Sequence, residues 1–172
     1  ENFSHYEAGA DHFVNLLFTF DEKEELTGAI INVPCPSQNT ENEYYLSADY
    51  WNDVRIAIRK KYGDVYLLPQ CAAAGDLAPR ILHYKQAQDR RFRLKYGESF
   101  AEKGLERTAR QDIAERIAAA FDEVYAWASK EKKREARITH VVETVQLSKR
   151  LISDEEYAYA KQGYAQEMAK EY

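Results

Sequence analysis

The residues best placed to do chemistry lie in two short segments, each around or after the end of a predicted strand. They are Asn32, Cys35, Gln38, Asn39, Asp76 and Arg80. A cysteine thiolate can act as a nucleophile or bind zinc, and ligands of open α/β sheets bind where strands end. Each residue also has a structural interpretation. A free cysteine can fill buried space, Asp76 can stabilise a Gly-Asp turn, and Arg80 can pair with a surface carboxylate.

The second segment belongs to residues 65–80 (VYLLPQCAAAGDLAPR), which pass from a bulky apolar strand through small residues to a turn. Cys71 stands at this transition, and Pro79 ends the turn. Small residues allow the backbone to approach a ligand closely. This pattern is typical of a site at the end of a strand in an α/β protein. Cys35 and Cys71 could also lie close enough for a disulfide if their strands are adjacent.

The elements that must position these residues form a strand–helix–strand unit. Residues 13–20 and 27–33 predict two strands of a hairpin, and residues 65–68 predict a third strand. Between them, residues 47–62 predict a helix, with an apolar stripe at three- and four-residue intervals and Ser47 as the cap. Such a crossover makes the second and third strands parallel, so their carboxyl ends lie side by side. The fold class predicted is α/β, a mixed sheet with a hairpin, a βαβ crossover and flanking helices.

The rest of the chain predicts mainly helix. A helical stretch is expected around Leu82 to Phe92. Thr108 with Gln111 forms a capping-box signature before a helix that continues to Trp127. Residues 137–147 (RITHVVETVQL) have β-branched alternation and predict a strand. A second capping box at residues 153–156 opens a C-terminal helix that extends to about residue 170.

Length and composition limit the class of protein. The chain has 172 residues with 45% hydrophobic and 31% charged residues, which fits one α/β domain over residues 1–172, or a fragment of a larger one. No apolar stretch approaches the ~20 residues of a membrane-spanning helix. The net charge of −5 argues against nucleic acid as a partner. A homo-oligomer is compatible with the sequence. Because the chain starts at Glu1 without Met, we expect it to be processed or cut from something longer.

Four motifs occur in the order and spacing of a known family. They are residues 11–17 (DHFVNLL), 31–37 (INVPCPS), 47–51 (SADYW) and 75–79 (GDLAP). In these segments the chain resembles the neutral/alkaline, non-lysosomal ceramidase superfamily, and more closely its uncharacterised bacterial branch. The resemblance covers about residues 11–80. It implies that the chain corresponds to the C-terminal part of the family's catalytic domain.

The resemblance implies a hydrolase that cleaves the amide of a lipid substrate with zinc. In the family, a serine in a Gly-Asp-x-Ser-Pro motif assists, and the metal is held by two histidines, a glutamate and a tyrosine. Here Ala78 stands at the serine position and Cys35 at a histidine position. We therefore predict Asp76 as a catalytic residue and Cys35 as a metal ligand. The predicted substrate-binding residues are Asn32, Gln38, Asn39, Gly75 and Arg80.

Two alternatives stay open. Because Ala78 has no hydroxyl and Cys35 replaces a histidine, the chain can instead be a binding or structural homologue that has lost catalysis. The other alternative is an unrelated small α/β enzyme that uses Cys35 or Cys71 as its nucleophile.

Overall fold

A computed structural model describes residues 9–80 and 84–170 of the chain. By internal contacts the chain divides into two compact units, one extending to Lys132 and the other beginning at Lys133. The first unit contains a sheet and three helices, and the second contains one helix. That residues 1–172 form a single domain stays a prediction.

The first unit is built on a three-stranded sheet in the order β1-β2-β3, with β1 at Asn15–Phe20, β2 at Leu26–Val33 and β3 at Tyr66–Cys71. β1 pairs antiparallel with β2, and β2 pairs parallel with β3. The hairpin turn is held by Asp21, whose Oδ1 accepts hydrogen bonds from the backbone N–H groups of Lys23 and Glu25 at 2.9 Å each. The predicted mixed sheet, hairpin and βαβ crossover are therefore confirmed.

Helix α1, at Tyr50–Tyr62, forms the crossover between β2 and β3. The predicted start is wrong: the helix begins at Tyr50, three residues after residue 47, and its N-cap is Asp49 and not Ser47. The Ser47 hydroxyl instead accepts a hydrogen bond from the backbone N–H of Asp49. Gly63 ends the helix with a φ of 80°, a left-handed conformation that glycine adopts at little cost.

Two helices follow β3: α2 at Lys85–Tyr96 and α3 at Glu98–Ala128. The helix predicted around Leu82 to Phe92 is present in part, with Leu82 outside the described residues. The capping box predicted at Thr108 is wrong, because Thr108 is a buried residue inside α3. The backbone instead breaks at Gly104, where φ is 77° and ψ is −177°. The Thr-x-x-Gln signature thus lies one turn beyond this kink and does not cap a helix.

The core of the first unit lies between one face of the sheet and helices α1 and α3. Its most buried members are Tyr50, Phe121, Ile31, Val54, Ile58 and Ala114. Phe18 of β1 packs edge-on against Phe121 at a centroid distance of 5.1 Å. The helices cover one face of the sheet. Every helix in the described ranges is too short or too polar to cross a membrane.

The second unit contains helix α4, at Asp154–Met168. The predicted capping box is confirmed: the Ser153 hydroxyl accepts from the Glu156 N–H, and the Glu156 carboxylate accepts from the Ser153 N–H. The strand predicted at residues 137–147 is wrong, because this described segment has no regular secondary structure. β-Branched side chains favour a strand only when a neighbouring strand supplies hydrogen bonds and a packing surface. Ile138 and Val142, exposed by 90% and 81%, lack that surface.

Candidate functional site

The two predicted loops leave the sheet at the same edge. In the parallel pair, Val33 is the register partner of Cys71. The Val33 carbonyl accepts hydrogen bonds from two backbone N–H groups, that of Cys35 at 2.8 Å and that of Ala72 at 3.0 Å. The loop after β2 and the loop after β3 are therefore both hydrogen-bonded at their starts to the Val33 carbonyl oxygen. We call this region the carboxyl edge.

Arg80 connects the two loops. Its Nη2 donates to the Gln38 carbonyl at 3.2 Å and to the Glu41 carboxylate at 2.6 Å. Its Nε lies 3.8 Å from the Glu106 carboxylate of α3. The arginine side chain is mostly buried, with 23% exposed. Arg80 thus does pair with surface carboxylates, as its structural interpretation suggests, and the pairing holds residues 38–41 next to the loop that follows β3.

The loop after β2 is anchored at its far end by Asp49. One oxygen of this buried carboxylate accepts two hydrogen bonds of 2.9 Å from Thr40, one from the backbone N–H and one from the hydroxyl. The other oxygen accepts from the Tyr50 N–H at 2.9 Å. These bonds tie the loop to the start of α1.

Asn39 is buried within this loop. Its side chain is 1% exposed, and neither its amide nitrogen nor its amide oxygen has a hydrogen-bond partner among the described residues. Buried polar groups are nearly always paired, because an unsatisfied one costs about 1–3 kcal/mol. Asn39 is therefore a residue at the carboxyl edge whose hydrogen-bonding capacity is unused.

The Cys35 thiol lies near both Tyr50 and Cys71. The Tyr50 hydroxyl donates to the Cys35 carbonyl, and the Cys35 thiol donates to the Pro36 carbonyl at 3.7 Å. Burial raises the pKa of the Cys35 thiol and outweighs the lowering by the Tyr50 hydroxyl, while the nearby Cys71 adds a smaller rise. Burial likewise raises the pKa of Tyr50, with Cys35 and Cys71 adding to the effect. Both groups are therefore protonated at neutral pH.

The predicted zinc ligand has too few companions among the described residues. Zinc usually has three or four protein ligands. In residues 9–80 and 84–170, no three His, Cys, Asp or Glu side chains are grouped so that they could hold a metal. The donors present around Cys35 therefore do not by themselves fit a zinc site. A metal-binding role for Cys35 stays a prediction.

The Gly-Asp turn lies beyond the strand end and faces solvent. The Leu77 N–H donates to the Ala74 carbonyl at 3.1 Å and closes the turn. Gly75, Asp76 and Ala78 are all exposed, and the Asp76 carboxylate has no hydrogen-bond partner in the described part of the chain. A Cβ added at Gly75 would meet no atom within 4 Å. The Asp76 carboxylate can thus accept a hydrogen bond from a ligand.

Asn32, the remaining predicted substrate-binding residue, lies in β2 opposite Gln70 of β3, one residue before the strand end. The structure therefore gathers Asn32, Cys35, Gln38, Asn39 and Arg80 around the carboxyl edge. Gly75 and Asp76 lie on the exposed turn between Cys71 and Arg80. Binding and catalytic roles for these residues stay predictions.

A cavity of about 400 Å³ lies elsewhere, between α1 and α3, and none of the predicted site residues lines it. Its walls carry Asp53, Lys103, Arg107 and Arg110 among others. Arg110 Nε lies 2.8 Å from the Asp53 carboxylate, Arg107 bonds to Glu43, and Lys103 donates to the Gln111 amide oxygen. We therefore assign these side chains to packing of the two helices.

The sequence analysis missed a cluster of charges between α2 and α3. Asp112, with a side chain 3% exposed, accepts from Arg91 at 2.6 and 2.8 Å and from Lys95 at 2.8 Å. It also accepts from the Tyr96 hydroxyl at 3.0 Å and pairs with Arg116 at 2.8 Å. Burial acts to raise the pKa of Asp112, but these donors outweigh it and lower the pKa to about 2. The helical spacing of Asp112 and Arg116 is the only local signal of the cluster, because the other partners come from a different helix.

Comparisons with protein-family models, with curated proteins and with solved structures each found no match to this chain.

Proposed function

We propose that this chain is a ceramidase-like domain that binds a lipid amide at the carboxyl edge and takes part in its hydrolysis, with a metal in the full-length protein. The observation that carries the proposal is the meeting of the two loops. Arg80 from the end of the second loop is bonded to Gln38 and Glu41 of the first. Loops that meet where parallel strands end form the usual ligand-binding place of an open α/β sheet.

The side chains at this edge suit an amide-bearing ligand. The buried Asn39 amide offers one unused donor and one unused acceptor, which match the C=O and N–H of an acyl amide. The exposed Asp76 carboxylate can accept a proton from the attacking water. Bringing Asp76 towards Asn39 would require the turn at residues 74–77 to bend over the edge on binding.

The test is hydrolysis of a fluorescent N-acylsphingosine in detergent micelles by the full chain, with zinc added and with a chelator, followed by separation of the released fatty acid. We expect fatty-acid release, and the difference between the zinc and chelator samples measures how much of it needs the metal. We expect Asp76→Asn to lower the rate at least about tenfold, or ~1.4 kcal/mol. The matched control is Glu22→Gln. Glu22 is an exposed carboxylate in the β1–β2 turn, at the opposite edge of the sheet, and its replacement should leave the rate unchanged. No release by the unmodified chain under either condition would rule out hydrolysis.

A second candidate function is a binding homologue without catalysis. The observation that favours it is Ala78, whose methyl group is exposed at the position of the family's serine. The protonated state of the Cys35 thiol points the same way. The same micelle assay separates the candidates, since a binding homologue would retain the labelled lipid on a sizing column yet release no fatty acid. If the chain neither retains the lipid nor releases fatty acid, both functions are excluded.

A further inference from the structure

Cys35 and Cys71 lie on neighbouring chain segments at a point where the backbone brings them together. Cys71 is the last residue of β3 and stands in register with Val33 of β2. Cys35 lies two residues past Val33, but its N–H turns back and bonds to the Val33 carbonyl at 2.8 Å. That tight turn stops the chain from moving away along the strand direction. Cys35 therefore stays beside the end of β3.

The spacing of the two segments suits a disulfide. Neighbouring strands lie ~4.8 Å apart, and disulfides join Cα atoms that are roughly 4.4–6.8 Å apart. The N–H of Ala72, the residue after Cys71, bonds to the same Val33 carbonyl as Cys35 does.

We propose that Cys35 and Cys71 form a reversible disulfide that closes the carboxyl edge under oxidising conditions. Both are free thiols in the structure, with Cys71 exposed and Cys35 half-buried. A dissolved hydroperoxide reaches the exposed Cys71 first, and the Cys71 thiolate attacks the peroxide oxygen. This step gives a sulfenic acid on Cys71 and releases water or an alcohol. The Cys35 thiol then attacks the Cys71 sulfur, the S–S bond forms, and the sulfenic oxygen leaves as water.

This inference goes beyond the proposed function and does not depend on it. The disulfide would join the first residues of both loops covalently, next to the contacts of Arg80 with Gln38 and Glu41. It would also remove the Cys35 thiol from any other chemistry. A dithiol reductant would restore both thiols.

The experiment treats the reduced full chain with a small excess of hydrogen peroxide, quenches it, and adds N-ethylmaleimide under denaturing conditions. Intact mass should show no reagent on the oxidised monomer and one reagent on each cysteine of the reduced chain. A non-reducing peptide map should join the peptide of Cys35 to that of Cys71, and dithiothreitol should reverse the change.

Two single variants test the order of events. In Cys35→Ser, Cys71 should remain a sulfenic acid that dimedone traps, because its partner is gone. In Cys71→Ser, Cys35 should still take up one reagent after the same peroxide treatment. Circular dichroism would check that both variants are folded. Persistence of two alkylated thiols in the unmodified chain would overturn the proposal, as would a Cys71-linked dimer with Cys35 still alkylated, or a sulfinic acid on Cys71 beside a free Cys35.

Discussion

A single carboxylate, Asp49, determines both the start of α1 and the conformation of the loop before it. It receives three hydrogen bonds while only 4% exposed, two from Thr40 and one from the Tyr50 backbone. Its own φ of 50° lies in the left-handed region, which asparagine and aspartate tolerate better than most residues. The cost of that backbone is offset by the bonds, so this position suits a short acidic side chain.

Asn39, in the same loop, gives the prediction at the residue scale. Asn39→Leu removes an amide that is buried without partners and replaces it by an apolar side chain of similar size. Since an unsatisfied buried amide costs about 1–3 kcal/mol, we expect the free energy of unfolding to stay unchanged or rise by ~1 kcal/mol. Urea unfolding followed by circular dichroism measures it. If Asn39 serves a bound lipid amide, the same variant should retain less lipid on the sizing column.

Thr40→Val is the matched control, because it removes a hydroxyl whose hydrogen bond to Asp49 the structure does show. That variant should lower the free energy of unfolding by ~1 kcal/mol. A loss of stability in Asn39→Leu as large as that in Thr40→Val would mean that the Asn39 amide has a partner, and would contradict the prediction.

At the scale of elements, β2 is the strand on which the site depends. It pairs with β1 on one side and with β3 on the other, and it carries Ala29, Ile31 and Val33 into the core. Gly28 near its start lies so close to β3 that an added Cβ would stand 2.7 Å from the Tyr66 carbonyl oxygen. Glycine is therefore needed here for the parallel pairing, and the pairing in turn fixes which loops meet at the carboxyl edge.

We predict that Gly28→Ala lowers the free energy of unfolding by ~1–3 kcal/mol, because the clash is with backbone and both strands must move. Thermal unfolding followed by circular dichroism gives the comparison with the unmodified chain. Gly75→Ala is the control, since nothing lies within 4 Å of its added Cβ, and its midpoint should match that of the unmodified chain. Equal midpoints for the two variants would show that β2 and β3 tolerate a wider spacing.

The elements that sequence could predict are those whose signals are local. The alternation in β1 and β2, the apolar stripe of α1 and the capping box at Ser153 each act within a few residues, and the structure contains all of them. The predicted strand at residues 137–147 failed because a strand also needs a neighbour. The capping box at Thr108 failed because the Gly104 kink, and not the polar signature, sets the break in α3.

The candidate site was predictable only in part, for the same reason. Parallel pairing of β2 with β3 follows from the crossover rule, so the meeting of the two loops could be expected. The hydrogen bonds from Arg80 to Gln38 and Glu41 span about 40 residues of sequence, so they produce no periodic pattern from which they could be predicted. Nor does sequence show that burial holds the Cys35 thiol neutral, since burial is a property of the assembled fold.

At the scale of the whole first unit, charge pairs between elements add to the apolar core. Lys95 of α2 forms ion pairs with Asp112 and Glu115 of α3. Asp122 of α3 forms an ion pair with Lys61 of α1 and accepts a hydrogen bond from the Tyr62 hydroxyl. These pairs hold α3 to both helices. For the carboxylates Asp112, Glu115 and Asp122, burial favours the neutral form, but the donors outweigh it and lower each pKa.

This charge arrangement predicts a loss of stability in acid. The pKa of Asp112 is about 2 in the folded state against an ordinary value of 3.8, so the unfolded chain takes up its proton first. The stabilisation from this shift, ~2 kcal/mol, is complete above pH ~4 and is lost as the pH falls through about 2. Glu115 and Asp122 shift in the same direction and should add to the loss. Urea midpoints measured in steps between neutral pH and pH ~2 would show the decline.

The variant that isolates the cause is Asp112→Asn, which has no proton to gain over this range. At neutral pH it should be less stable than the unmodified chain, because Arg91, Lys95 and Arg116 lose the carboxylate that they share. As the pH falls towards 2, the unmodified chain loses the same interaction, so the two midpoints should converge. Asp89→Asn removes only an exposed pair with Arg93, which contributes little to stability, and should leave the slope intact. Parallel pH curves for Asp112→Asn and the unmodified chain would place the acid sensitivity at other carboxylates.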